Sequence, residues 1–450
     1  MKILALCDSP TLTTGFARVA QNLLSRWHAC GADVDCWGIG FRGTGYRRCP
    51  YVNEFFPAGD VWYDPTNLTR FVGMLLQRDY THVWIMQDTF LLSPNGFPKA
   101  LREACKKKKI RSCLYFPVDA PIDADWARIV RAVDFPVAYT EYGKRCALAV
   151  LPKDGQPHPA ISVLPHGVDT TLYTPATPEV RARLRQNIKI KADAKDAQPA
   201  PWLKPDDFLM INVNSNQRRK DPARSLEILA ALRQRGVPAK LLMHMAESSQ
   251  GLSLEAVGEQ LGLRPGEEWI HNGPFFQGSI STLNEKQLIG LYHQADLYLT
   301  TTLGEGWGLG ITEALGCGLP VAVPMNTACA EVALELRRLG MGSRVIEMPV
   351  EKHGVYLEMD NTRKRHRTDV EAAANRIEAY WRSGEWRERP AVTSAVREWL
   401  SWDRIAEAFL TLMGAEIKDA EPVQTPAAPA EPEAPGTGRP EVCPTAEITR

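Results

Sequence analysis

The run Asp296–Pro324, DLYLTTTLGEGWGLGITEALGCGLPVAVP, decides the reading of this chain. Leu297 to Thr300 is a short apolar strand that leads into a glycine-rich loop, Gly304-Glu305-Gly306-Trp307-Gly308. A helix starts near Leu309, Gly316 to Gly318 ends it, and Val321 to Val323 reads as the next strand. Strand, glycine loop and helix N-terminus in that order form an anion cradle. Glycine lets backbone N–H groups come close to a ligand, and the helix dipole places positive potential where a diphosphate would sit. Glu305 and Glu313 stand eight residues apart, one before the helix and one about a turn inside it, so both can face one ligand. Carboxylates are poor neighbours for phosphate but good partners for hydroxyl donors such as a sugar and a ribose.

The same alternation extends in both directions. Upstream, Phe208 to Val213, the helical stretch Pro222 to Gln234 and the strand Ala239 to Met243 open an α/β series that continues to about residue 390. At the start of the chain, Lys2 to Cys7 is an apolar strand, Phe16, Val19, Leu23, Leu24 and Trp27 form a helical stripe, and Val34 to Ile39 is a second strand. Further strand-like runs follow at His82 to Met86, Arg111 to Phe116, Pro136 to Thr140 and Ile161 to Leu164. The expectation is α/β, with two Rossmann-like, doubly wound parallel-sheet domains, 1–165 and 166–390, facing a central cleft. Pro165 to Asp169 is the candidate hinge. Val392 to Met413 reads as one helical segment, within a unit 391–414 that returns towards the first domain. Residues 415–450, rich in Ala, Pro and Glu, read as a disordered tail.

Composition bounds the function. The chain has 450 residues, 44% apolar and 24% charged, the profile of a globular protein with more than one core. Fifty-three basic residues balance fifty-three acidic ones, so no overall field favours nucleic acid or an anionic membrane. The one basic run singled out, Lys106 to Lys109, follows a helical stretch and suits that helix's C-terminal dipole. Ten scattered cysteines without a C-x-x-C pair, no long apolar run and no signal-like start lead to an expectation of reduced thiols, no membrane insertion and a cytoplasmic location, in a cell or an infected host.

The Asp296–Pro324 segment resembles the E-x7-E signature of glycosyltransferase family 4, retaining nucleotide-sugar-dependent enzymes of GT-B architecture. The likeness extends to Glu285–Asp296, which leads into the signature, to the crossing Pro165–Pro175, and to Trp402 in the last helix. The resemblance implies that Glu305 holds the donor sugar's hydroxyls and Glu313 the ribose. The backbone around Gly308, with Gly306, Trp307 and Leu309, would meet sugar or phosphate. In Asn216-Gln217-Arg218-Arg219-Lys220-Asp221-Pro222, Lys220 would bind the leaving diphosphate. Arg218 or Arg219 would replace an arginine that the family carries upstream, where this chain has Asn214-Ser215-Asn216. Gly15, in Thr13-Thr14-Gly15-Phe16, matches the loop that approaches the diphosphate. Asp119 takes the place of a histidine near the sugar, its alternative being a helix cap or loop turn. Glu305 and Asp119 are therefore the catalytic candidates, with no metal and no cofactor beyond the nucleotide-diphosphate-sugar donor.

Two other patterns are set aside. Gly38-x-Gly40-x-x-Gly43 follows a strand but leads into no helix, so it is no dinucleotide fingerprint. Asp33-Val34-Asp35 and Asp123-Ala124-Asp125 lack a metal-ligand setting. The rival functions on this fold are a sugar-nucleotide epimerase, a phosphorylase, or a nucleotide-sugar-binding module without turnover. The acceptor, whether glycan, protein or modified DNA base, is not readable in the loops Thr44–Asn67 and Leu91–Pro98.

Overall fold

A computed structural model describes the chain except for residues 59–64, 94–95, 153–158, 191–199, 247, 250–251, 273–275, 278–279, 282, 358–362 and 415–450. The tail reading, and parts of the two unread loops, lie outside the described residues. The first sheet has seven parallel strands: β1 (Lys2–Asp8), β2 (Asp33–Ile39), β3 (Phe55–Pro57), β4 (His82–Met86), β5 (Arg111–Phe116), β6 (Phe135–Ala138) and β7 (Ser162–Val163), in the order β3-β2-β1-β4-β5-β6-β7. The second has six: β8 (Phe208–Val213), β9 (Ala239–His244), β10 (Trp269–His271), β11 (Leu297–Leu299), β12 (Val321–Pro324) and β13 (Val345–Met348), in the order β10-β9-β8-β11-β12-β13.

Each order reverses direction beside its first strand, between β1 and β4 and between β8 and β11. Such a reversal leaves a crevice outside the carboxyl ends of the strands. Central strands buried on both faces need continuous apolar runs, and β1 and β4 are buried along almost their whole lengths. The helix Gly15–Ala29 follows from its cap and its stripe. Thr14 Oγ1 accepts the Ala17 N–H at 3.1 Å, and Ala17, Val19, Ala20, Leu23, Leu24 and Trp27 face the core.

One apolar cluster runs from Trp27 and Trp84 in the first domain through Trp307 and Trp402 to Leu209 and Val321 in the second, so the domains share packed contacts. The segment read as one helix over Val392–Met413 is two helices, Ser394–Trp399 and Trp402–Leu412. The break has a cause: the Leu400 carbonyl accepts the N–H of Val168, in the segment that crosses between the domains, at 2.9 Å, and Ser401 caps the second helix. That second helix packs on Gly15–Ala29, with Arg26 Nε donating to Asp403 at 2.6 Å. A further hairpin, β14 (Val350–Tyr356) and β15 (Lys364–Thr368), extends from the end of the second sheet.

Candidate active site

The carboxyl edges of the two sheets face each other across a cleft of about 1240 Å³. Every residue proposed from the sequence, Gly15, Asp119, Arg218, Arg219, Lys220, Glu305, Gly306, Trp307, Gly308, Leu309 and Glu313, lines it.

Glu305 follows β11 and is buried. Its Oε1 accepts from Lys220 Nζ at 2.5 Å, and its Oε2 lies 3.5 Å from Arg219 Nη1. Burial pushes the Glu305 carboxyl up, but Lys220 and Arg219 outweigh it and hold it below the usual carboxylate range. Burial also lowers the Lys220 ammonium, and Glu305 opposes that shift. Sequence reasoning gave Lys220 to a diphosphate and Glu305 to a sugar; it did not anticipate that the two pair with each other.

Two contacts fix the Glu305 backbone: its N–H donates to Thr327 Oγ1 at 2.9 Å, and its carbonyl accepts the Ala328 N–H at 3.4 Å. Thr327 sits at φ 40°, a left-handed conformation that costs a β-branched residue about 1–2 kcal/mol.

Glu313, in the helix Leu309–Gly316, is also buried. It accepts from Tyr292 Oη at 2.8 Å and from Arg18 Nη1, across the cleft, at 2.5 Å. Arg18 thus joins the first domain's opening helix to the second residue of the acidic pair. A single Arg on a helical face leaves no sequence signal, and sequence reasoning missed it.

The glycines have a role beyond the cradle. A Cβ on Gly304 would overlap the Asp119 carbonyl oxygen and stand 2.6 Å from Arg365 Nη1, and one on Gly306 would stand 2.6 Å from Pro117 Cβ. Both glycines make room for the first domain's loop after β5. Gly15, by contrast, would meet only Leu309 Cδ1 at 3.4 Å, an ordinary contact, so no protein neighbour demands a glycine there.

Asp119 is gripped from two sides. Arg219 Nε lies 3.1 Å from its Oδ2, while Arg365 donates to its carbonyl at 2.7 Å and to Oδ1 at 3.1 Å. Burial raises its pKa, and the two guanidiniums more than offset this, so Asp119 is held below the usual range. Its role as a helix cap or simple turn is replaced by a cross-domain ion pair. Arg365 was missed, although the basic run Arg363-Lys364-Arg365-His366-Arg367 was visible.

Arg219 is already committed, donating to the Gly304 carbonyl at 2.6 Å besides its two acids. On the opposite wall Asp88 follows β4. Burial, with Asp119 nearby, raises its carboxyl to about 7. Asp8, at the end of β1, is raised by burial to about 6 despite accepting from Thr14 Oγ1 at 2.6 Å. His166, in the crossing segment between the domains, also lines the cleft. Its Nδ1 lies 2.7 Å from Tyr115 Oη, and burial lowers the imidazole to about 3, leaving it neutral.

The two D-x-D strings serve elsewhere: Asp35 accepts from Tyr80 Oη at 2.9 Å, and Asp123 pairs with Arg363. Among the described residues no group of three or more His, Cys, Asp or Glu is placed to hold a metal ion, and no helix is long and apolar enough to cross a membrane. Each described cysteine is a free thiol.

No family model matches the chain. Over 188 residues it is 25% identical to a D-inositol 3-phosphate glycosyltransferase of Corynebacterium jeikeium (strain K411), a stretch that spans 40% of this chain and 39% of that relative. Among solved structures it is similar to a sucrose-phosphate synthase from Thermosynechococcus elongatus, with a TM-score of 0.63 at 16% identity over 92% of this chain and 98% of that one. It is also similar to a structure of trehalose-6-phosphate from E. coli bound with UDP-2-fluoro glucose, with a TM-score of 0.58 at 13% identity over 93% and 100%. At such identities the likeness concerns the fold, and with the two facing parallel sheets it establishes GT-B architecture for this chain.

Proposed function

We propose that this protein is a retaining glycosyltransferase that moves a sugar from a nucleotide-diphosphate-sugar to an acceptor hydroxyl. One observation carries the reading: Lys220 and Glu305 pair beside the reversal point of the second sheet, and Glu313 lines the same cleft, facing a first-domain wall. The names of the similar proteins, a glycosyltransferase, a sugar-phosphate synthase and a structure holding a UDP-sugar analogue, support the same class.

The ion pairs suggest how a donor is received. A diphosphate brings negative charge, and Lys220 turning from Glu305 towards it exchanges one buried pair for another, with no lone charge left buried. Glu305 is then free to accept hydrogen bonds from the sugar's hydroxyls, still facing Arg219. Glu313, held by Arg18 and Tyr292, is placed for the ribose. As the bond from the anomeric carbon to the diphosphate oxygen breaks, the cations stabilise the departing anion. The acceptor oxygen bonds to the same face of that carbon, and its proton passes to the leaving diphosphate. Cationic side chains supply the positive charge, so turnover is expected to survive a chelator.

The test is a panel of nucleotide-sugars scored for hydrolysis, then for transfer to candidate acceptors. Proton NMR of the product from an α-linked donor reads the configuration. An α product fits; a β product overturns the mechanism and the placing of Glu305. An epimerised nucleotide-sugar, or a sugar phosphate formed with inorganic phosphate, would assign the chain to another reaction on the same fold.

A further inference from the structure

We infer that β15 is a strap across the cleft and that Arg365 is a positioning residue, holding Asp119 in place so that the acceptor wall and the donor grip assemble as one unit. The inference rests on the transferase reading for its kinetic part only.

Side chains two apart on an extended strand point the same way. Arg365 and Arg367 share this face of β15, and with Arg363, which directly precedes the strand, they reach three places. Arg363 pairs with Asp123 of the first domain and lies over the Trp126 ring at 4.7 Å. Arg365, its side chain only 2% exposed, grips the Asp119 carbonyl and carboxylate. Arg367 makes a two-pronged bond to Asp221, both contacts at 2.8 Å. Asp221 directly follows Lys220, so one strand ties the loop 119–123 of the first domain to the donor loop of the second.

The charges then alternate without a gap: Arg365, Asp119, Arg219, Glu305, Lys220. Separating the domains would take Asp119 from a deeply buried guanidinium, which is strongly unfavourable unless another anion replaces it. Gly304 is the second sign. Its missing Cβ is the space in which the Asp119 carbonyl and Arg365 meet, so the contact is built into the glycine loop itself. Arg365 lines the cleft but is almost wholly buried and gives Nη1 and Nη2 to Asp119, so its effect on transfer runs through Asp119.

Arg365→Ala, Arg365→Lys and Gly304→Ala test this in the full chain. Hydrogen exchange of the Val118, Asp119 and Ala120 amides is expected to accelerate about tenfold or more in Arg365→Ala and Gly304→Ala, while β8 stays protected. On a donor that the wild type hydrolyses, kcat should fall about 100-fold with donor KM within about threefold, and Arg365→Lys should recover part of kcat, since it keeps charge but not the fork. Unchanged exchange at 118–120, or exchange rising equally in β8, overturns the strap. Wild-type kcat in Arg365→Ala, or kcat no better in Arg365→Lys, overturns the positioning role. If the wild type turns over no nucleotide-sugar, the transferase reading fails, and the exchange result still decides whether the strap exists.

Discussion

The two edges of the cleft share a strand order but differ in how they hold charge. On the second domain's edge, Glu305 meets Lys220 and Arg219 from its own sheet, and its carboxyl stays ionised. On the first domain's edge, Asp8 and Asp88 have no ion-pair partner among the described residues, and burial raises both towards neutrality. Asp119 is ionised there, and its guanidiniums come from the other domain. Around Glu305 the second edge is electrostatically self-sufficient, whereas Asp119 is completed by the other domain, as Glu313 is by Arg18. Under the transferase reading proposed above, the donor's diphosphate goes to the edge with its own cations and a hydroxyl-bearing acceptor to the other.

The largest expected effect breaks the self-sufficient edge. Glu305→Gln should lower kcat by about 100-fold or more with the fold intact, because a positioned hydrogen bond to the reacting sugar is lost. Near wild-type turnover would remove Glu305 from the chemistry. Lys220→Ala adds a folding cost of about 1–3 kcal/mol by leaving the buried Glu305 with Arg219, at 3.5 Å, as its remaining cation. Urea titration should show the stability returning in Lys220→Met with Glu305→Gln, while activity does not.

Arg18→Ala sharpens the contrast from the other side. It removes the cross-cleft partner of Glu313, and the expected outcome is a loss of about 1–2 kcal/mol with a raised donor KM. An unchanged KM, measured on the same donor, would detach Glu313 from donor binding.

Asp88→Asn isolates the uncompensated edge. The folded carboxyl, at about 7, lies above its unfolded value, so its contribution to stability is complete at low pH and is lost as pH rises through about 7. The variant should therefore exceed the wild type in stability at pH 8 by about 4 kcal/mol and match it near pH 4. Equal Tm differences at both pH values would show that Asp88 ionises normally.

The smallest effect concerns the support behind Glu305. Thr327→Gly relieves a left-handed backbone but loses the hydrogen bond to the Glu305 N–H, so the net change should be within about 1 kcal/mol. Thr327→Ala keeps the strain and loses the bond, and calorimetry should find it the less stable of the two.

The same contrast explains what the sequence made legible. The second edge is written in local order: β11, the glycine loop and a helix stand consecutively, and the basic triplet Arg218-Arg219-Lys220 directly follows β8 and its short loop. Chemistry carried by neighbours along the chain leaves a pattern. The first edge is assembled from distant pieces, so Arg18, Asp88 and Arg365 have no shared spacing to read. Gly304 and Gly306 were visible, but their space accommodates a loop nearly two hundred residues away in sequence. The helix break at Leu400 escaped for the same reason, since Val168, which claims its carbonyl, is distant in the sequence.

The helix Trp402–Leu412 has a consequence for the order in which the protein is made. Phe409 sits against Trp27, Trp84 and Tyr115, with ring centroids at 5.8, 6.4 and 4.9 Å, and the Met413 carbonyl accepts from Arg111 at 2.6 Å. All four of those partners are synthesised before the second domain, and the groups that cover them are made after it. While the ribosome makes the whole second domain, the first sheet must wait with an aromatic face open, a surface on which a chaperone would act. Proteolysis of chains stalled before and after this helix should find the first domain protected only in the longer chain; equal protection in both would mean that it closes without its last piece.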